Sequence, residues 1–214
     1  MSDYIDITEI YLDLKELACI ESNYDRIPSL MQEGMNMDIT KTVLEYKKKY
    51  KEENKEYKEA LKRKKYNEAT RHANNMKQIA VNMKRSINKI NTLNSFESVI
   101  GTCLSVVLSC LEFIVPSLLF ASKFAIKKIP VAGGIIVAGI NAGQKYAGVE
   151  DETKQIVDQT KDTITDIKSY QKKSEVSFDH VKGYKVKMVD YCTQLERNAD
   201  YLVKMVKVNK ILDS

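Results

Sequence analysis

Few side chains in this sequence combine the chemistry and the spacing of a reactive site. The four cysteines are widely scattered without a CxxC pair, and the two histidines, His72 and His180, do not join them in a ligand-like cluster. Cys103 and Cys110 are seven residues apart, which places them on one face of a helix rather than around a metal ion. We expect no metal and no other cofactor, and we expect the cysteines to be small apolar residues kept reduced: Cys19, Cys103, Cys110 and Cys192.

One carboxylate stands in unusual surroundings. Glu112 is the single charged residue between Val99 and Ser122. An ionised carboxylate is costly in an apolar environment, whereas its protonated form costs much less. Glu112 is therefore a candidate pH-sensitive group. A buried Glu112 should seek a basic partner, and the nearest in sequence are Lys123, Lys127 and Lys128.

No pattern of an enzyme is visible in the sequence. There is no glycine-rich phosphate loop after a strand, no nucleophile placed beside a base and no metal cluster, so we expect a protein without enzymatic activity. The net charge of +5 permits attraction to an acidic surface without requiring a nucleic acid. Residues 47–65 form a basic run with tyrosines, but such runs are more often solvated helix faces, so nucleic acid is not an expected partner.

The composition favours helices throughout the chain. Only 3 prolines and 8 glycines occur in 214 residues, and 29% of the residues are charged. Apolar residues recur at helical spacing and predict a first helix over 7–32, ended by Gly34. Asp38 is the predicted N-cap of a second helix over 39–94, whose heptad pattern slips between Leu61 and Ala69.

A third helix is predicted over 149–212, with a nearly regular heptad seam that is weakened by Thr and Ser at its centre. Those weak positions indicate a helix that packs against more than one neighbour or that rearranges. The sequence therefore predicts an all-α fold, an elongated coiled-coil bundle of long antiparallel helices with an apolar helical hairpin at one end. The expected divisions are a first part of the stalk (1–97), the hairpin (98–148) and the second long helix (149–214).

The hairpin is the most apolar part of the sequence and has two arms. The arm over 99–122 has 24 residues, enough to cross a bilayer as a helix, although Pro116 would kink it. The arm over 129–143 is shorter, with small residues at four-residue spacing that allow close helix packing. The expected packing residues are Gly134, Ala138, Gly139, Ala142 and Gly143. The expected membrane-inserting residues are Val99, Leu104, Val107, Leu111, Phe113, Leu118, Phe120, Ile135, Ile136, Val137 and Ile140.

The order of a long helix, an apolar hairpin and another long helix over residues 39–212 resembles the ClyA-like α-helical pore-forming toxins, which include tripartite Bacillus enterotoxin components. The resemblance is one of architecture and involves no diagnostic motif. It implies a soluble form that tucks an apolar tongue against the bundle and exposes it at a membrane. This chain departs from that family in its short length and in having one short helix before the long pair. Apolipoprotein-L-like proteins share a glycine-rich apolar hairpin between charged helices.

Two functions of different classes follow from this pattern. The first is a membrane-inserting protein that forms pores or permeabilises a bilayer, with homo-oligomers or related helical chains as further partners. The alternative is a structural scaffold or virion coiled-coil protein, whose hairpin is an anchor, an oligomer interface or the buried core of a compact head. The acidic N-terminus lacks the pattern of a secretory signal peptide. We therefore expect a soluble form that binds membranes and that leaves its cell, if it does so, without a leader.

Overall fold

The chain folds as an all-α protein in the part that the structure describes. The computed structural model describes the backbone of residues 27–90, 96–126, 140–171 and 178–213, and most side chains in 38–90, 99–126, 148–171 and 183–213. This confirms the predicted all-α class for these residues. The helices are α1 (Ile27–Lys62), α2 (Tyr66–Asn88), α3 (Phe96–Ile126), α4 (Ile140–Gln171) and α5 (Phe178–Ile211).

Three of the helices pack against α3, and α2 packs against two of those three. Both α1 and α5 pack along α2 and along α3, and α4 lies on α3 with a narrower contact to α5. The side-chain contacts also give the directions of the helices. Contacts from Lys77 to Asp200 and from Lys84 to Thr193 make α2 antiparallel to α5. Tyr50 lies near Cys110 and Asn54 contacts Phe113 and Ser117, so α1 and α3 are parallel.

The core is one cluster to which all five helices contribute. The part of the predicted heptad pattern that follows the slip supplies much of it, with Ala73, Met76, Ala80, Met83 and Ile87 all buried on α2. Helices of alternating direction bury such stripes against several neighbours at once. The buried face of α2 therefore packs against both α1 and α5.

The predicted uninterrupted helix over 39–94 is wrong at one point. The chain turns between α1 and α2 at Arg63–Lys65, and α2 folds back along α1. Lys64 adopts a left-handed conformation with φ 58°. The Lys65 amide donates to the Ala60 carbonyl and the Lys64 amide to the Leu61 carbonyl, the bonding pattern of a Schellman helix end. Glycine is the usual residue at the left-handed position after a helix end, so Lys64 did not indicate in the sequence that a helix ends there.

The predicted boundary between the first two helices is also wrong. Helix α1 begins at Ile27 and continues through Gly34 to Lys62, so the loop and the N-cap expected at residues 33–38 are absent. Pro28 is accommodated because it lies in the first turn, where its missing N–H group is not needed. Residues 7–26 of the predicted first helix lie outside the described residues.

The predicted single helix over 149–212 is two helices. Glu152 of α4 contacts Lys204 of α5, and Asp166 contacts Tyr191, so the two helices run in opposite directions. Helix α4 begins earlier than expected, at Ile140, and therefore includes the end of the second apolar arm. Residues 172–177, which join α4 to α5 in sequence, lie outside the described residues.

The helix end at Lys64 provides a test of the turn. We expect Lys64→Gly to be more stable than Lys64→Ala by about 1 kcal/mol, because only glycine adopts a left-handed conformation without strain from its Cβ atom. Both variants lose the contact of Lys64 Nζ with Asp213, 3.6 Å away, so their difference isolates the backbone effect. Urea unfolding followed by circular dichroism measures it. Equal stabilities would show that residue 64 is not left-handed in solution.

Candidate functional site

Helix α3 is the candidate site because it contains the whole first apolar arm. It contacts α1, α4 and α5, so most of its circumference must be apolar. Of the residues predicted to insert into a membrane, those on its inner side are buried and two aromatic residues are half-buried. The buried residues are Val99, Leu104, Val107, Leu111 and Leu118, and the half-buried ones are Phe113 and Phe120.

The outer edge of α3 is mixed in character. Ser105, Glu112 and Lys123 are exposed along it, together with Pro116 and Leu119, which is 39% exposed. Phe120 and Phe124 stack beside this edge with ring centroids 5.7 Å apart. The first half of the edge is thus polar, and the second half presents the apolar surface of Pro116 and Leu119 to solvent before the edge ends at Lys123.

Glu112 lies on this outer edge rather than inside an apolar environment. Its Oε1 is 2.8 Å from Lys168 Nζ of α4, and its side chain is 45% exposed. Lys123, the one nearby candidate whose side chain is described, is not its partner in this structure. The ion pair ties α3 to α4 at the surface, where such pairs contribute at most about 1 kcal/mol.

A buried polar contact holds α3 to α1 beside its proline. Asn54 Nδ2 donates to the Phe113 carbonyl at 2.8 Å, and Ser117 Oγ donates to Asn54 Oδ1 at 2.7 Å. Asn54 is 4% exposed and Ser117 is fully buried. Pro116 lacks an N–H group, so this turn of α3 is weaker than the others and Asn54 supports it.

Helix α5 holds the other flank of α3 in a similar way. The buried Asn209 donates to the Ala121 carbonyl at 3.2 Å and to the Met205 carbonyl at 2.8 Å. Asn54, Ser117 and Asn209 were missed in the sequence. The sequence feature that could have indicated a buried polar contact is a polar residue inside an apolar stripe, since Asn54 falls between the buried Tyr50 and Tyr57.

The contact between α4 and α5 is largely polar. Asn198 Nδ2 donates to Thr160 Oγ1 at 3.0 Å, and both residues are buried. The hydroxyls of Thr153 and Tyr201 are also hydrogen-bonded to each other. Thr153 and Thr160, of which Thr160 is a position of the predicted heptad seam of 149–212, therefore serve as hydrogen-bonding positions between the two helices. They specify the register of α4 with less apolar burial than a leucine seam would give.

The other residues singled out in the sequence have ordinary structural roles in the described region. Cys103, Cys110 and Cys192 are buried and free, as expected of small apolar residues. Burial raises the pKa of the Cys192 thiol, with a smaller contribution from its neighbours Cys110 and Cys103, so it stays protonated at neutral pH. His72 Nδ1 lies 2.6 Å from Glu53 Oε2 and links α2 to α1.

The second apolar arm falls mostly outside the description. Helix α4 includes the backbone of Ile140, Ala142 and Gly143, but their side-chain surroundings are not described. The predictions made for the remaining residues of this arm lie outside the described residues and stay predictions: Gly134, Ile135, Ile136, Val137, Ala138 and Gly139.

Length and composition single out one helix in the described ranges as able to cross a bilayer, Val99–Ile126, and half of its most apolar stretch is buried. A core helix of a bundle meets the same criterion, so this finding is compatible with both expected functions. No family model, no curated protein and no solved structure matches the chain.

Two buried tyrosines of α1 provide matched tests of the core beside α3. Tyr50 is fully buried and its hydroxyl has no hydrogen-bond partner among the described residues, whereas Tyr57 Oη donates to the Leu202 carbonyl at 3.4 Å. Burial raises the pKa of both hydroxyls, so each is neutral. We expect Tyr50→Phe to stabilise the protein by about 1 kcal/mol, because it removes an unsatisfied polar group.

The control, Tyr57→Phe, loses a hydrogen bond and should destabilise the protein by about 0.5–1 kcal/mol. The measurement for both variants is the midpoint of thermal or urea unfolding. A loss of stability in Tyr50→Phe as large as that in Tyr57→Phe would mean that the Tyr50 hydroxyl is hydrogen-bonded in solution.

Proposed function

We propose that this protein engages membranes: its bundle stores α3 in a water-soluble form, and α3 inserts into a bilayer and permeabilises it. One observation carries the proposal. A helix long and apolar enough to span a bilayer, Val99–Ile126, is held in the bundle partly by polar contacts rather than by apolar packing alone. The apolar residues 129–143, which follow α3 in the sequence, would enter the bilayer with it.

The energetics of this step favour a helix of this kind. Apolar side chains of α3 leave one apolar environment for another, so their burial, worth about 25 cal/mol per Å², is largely kept. The backbone of a helix satisfies its own hydrogen bonds in lipid. The costs are the apolar faces of α1, α4 and α5 that lose α3 as their cover, the hydrogen bonds that Asn54 and Asn209 make with α3, each about 1 kcal/mol, and the transfer of Glu112.

Helix α4 would separate first. It covers α3 on one side, and its contact with α5 depends on exposed ion pairs and on hydrogen bonds such as Thr160–Asn198. Water can replace hydrogen bonds more readily than it can replace apolar packing. The polar faces of α4 and α5 would then be open to a second copy of the chain or to a related helical chain, which is the form in which we propose that the inserted protein assembles.

A second candidate function is a structural scaffold without membrane activity. It is favoured by the polar outer edge of α3, where Ser105 and Lys123 are exposed and Glu112 is paired with Lys168. A helix with three helical neighbours and one polar edge has the pattern of a bundle interior. In that case, α3 would stay buried at every lipid composition.

A reversible cross-link between α3 and α4 tests the insertion of α3. Glu112→Cys and Lys168→Cys place two thiols where the native ion pair spans 2.8 Å, and a short reducible bismaleimide would join them. Cys19 is replaced by Ser, while the three buried thiols stay protected. We expect the cross-linked protein to release no dye from liposomes, because the charged part of α4 cannot follow α3 into the bilayer.

Reduction of the linker should restore dye release to the level of the unlinked variant. Undiminished release by the cross-linked protein would refute insertion of α3. Failure of the native protein both to float with liposomes and to release dye would support the scaffold function instead.

The charge of Glu112 provides a second test, because the carboxylate is exposed in the bundle and apolar surroundings would oppose its ionised form in a bilayer. We expect liposome flotation of the native protein to increase as the pH falls towards about 5, and flotation of Glu112→Gln to be strong already at about pH 7. Lys168→Gln breaks the same ion pair without removing the carboxylate, so it should keep the native pH dependence. Identical pH profiles for the native protein and Glu112→Gln would remove Glu112 from the mechanism.

A further inference from the structure

A cleft of about 590 Å³ lies between α1 and the outer edge of α3. Four lysines of α1 form one wall, and Phe113 and Pro116 of α3 form the other. Two carboxylates, Glu52 and Glu112, and the buried Asn54 complete the lining. The lysines are Lys48, Lys51, Lys55 and Lys58.

The spacing of the four lysines puts them on one face of α1, over three turns of the helix. Within the described part of the chain, none of these ammonium groups forms an ion pair with a carboxylate. Glu112 is engaged by Lys168, so Glu52 is the carboxylate of the lining that is left to oppose the four positive charges. Like charges at this spacing repel one another, and a bound anion would relieve that repulsion.

The opposite wall of the cleft is apolar. Phe113 is half-buried, Pro116 is exposed, and Leu119 continues the apolar surface one turn along α3. Lys51 Nζ lies 5.6 Å from the centre of the Phe113 ring. The Lys51 ammonium occupies the ring face on which a nucleic-acid base would stack, so the cleft is less suited to a nucleic acid. The cleft therefore fits a ligand with an anionic end and an apolar end.

We propose that this cleft binds the headgroups of anionic phospholipids in a bilayer surface. Headgroup phosphates and carboxylates would lie among Lys48, Lys51, Lys55 and Lys58, and the apolar edge at Pro116 and Leu119 would face the acyl chains. The bundle then lies on its side on the membrane, with the edge of α3 in contact with the bilayer. The inference rests on the proposed membrane function for its ligand, but it concerns docking, which is measured separately from insertion.

The test compares two variants with the same loss of charge. In the cleft variant, Lys48, Lys51, Lys55 and Lys58 are all changed to Gln. In the control variant, four exposed lysines on other surfaces are changed to Gln: Lys89, Lys154, Lys207 and Lys210. Circular dichroism and thermal unfolding check that both variants keep the native helix content.

Binding is measured by flotation with phosphatidylcholine vesicles that contain about 30% phosphatidylserine, in about 0.1 M NaCl. We expect the partition coefficient of the cleft variant to fall about tenfold or more, and that of the control variant to fall less than about threefold. A variant with Arg at all four cleft positions keeps the charge and should bind like the native protein. Equal losses in the cleft and control variants would overturn the proposal.

Two further measurements separate this inference from the proposed function. If the native protein binds anionic vesicles through the cleft but releases no dye, the headgroup site is supported and the proposed insertion of α3 is refuted. If dye release from pure phosphatidylcholine vesicles is strong and unaffected in the cleft variant, insertion stands and the headgroup site is overturned. Tighter binding of a labelled single-stranded RNA than of anionic vesicles, lost in the cleft variant, would assign the cleft to nucleic acid and also overturn the proposal.

Discussion

The burial of α3 among three neighbouring helices is the constraint that joins α4 to the rest of the bundle and on which the proposed function depends. Because α1, α4 and α5 all contact it, α3 must be apolar around most of its circumference. The same property makes it the helix in the described part of the chain that a bilayer could accept. An apolar helix of this length can be buried either in the core of the bundle or in a bilayer. The polar groups around it determine how strongly the bundle holds it.

Those polar groups are distributed unevenly around α3. Asn54 and Asn209 hold it from α1 and α5 by buried hydrogen bonds to its carbonyl groups. Helix α4 packs on one side of α3, is joined to it by an exposed ion pair, and makes only a narrow contact with α5. Buried hydrogen bonds specify a single register and are costly to leave unpaired. Exposed ion pairs are weak. The bundle therefore combines a well-specified core with a less tightly held covering helix, a distribution suited to a protein that opens along one side.

The outer edge of α3 connects this core to the surface of the molecule. Its first half is polar and pairs with α4 through Glu112, while its second half exposes Pro116 and Leu119 beside the lysines of α1. A surface with cations on one side and apolar residues on the other matches the boundary between headgroups and acyl chains. In the proposed sequence of events, docking at this edge precedes the separation of α4, since it brings α3 to the lipid before its contacts are broken.

The sequence by itself determined the helical class, the apolar character of α3 and the exposure of the basic run on α1, because these depend on composition and on local periodicity. It also marked the slip between Leu61 and Ala69, but it gave no reason to read the slip as a turn, since Lys64 occupies the left-handed position that glycine usually takes. Only the tertiary structure decided that each of the two predicted long helices is divided into two helices that fold back on each other, that Lys168 is the partner of Glu112 and that Asn54 supports α3 beside Pro116. These outcomes depend on contacts between residues far apart in the chain. A heptad pattern predicts that one face of a helix is buried, but it does not predict which other helix packs against that face.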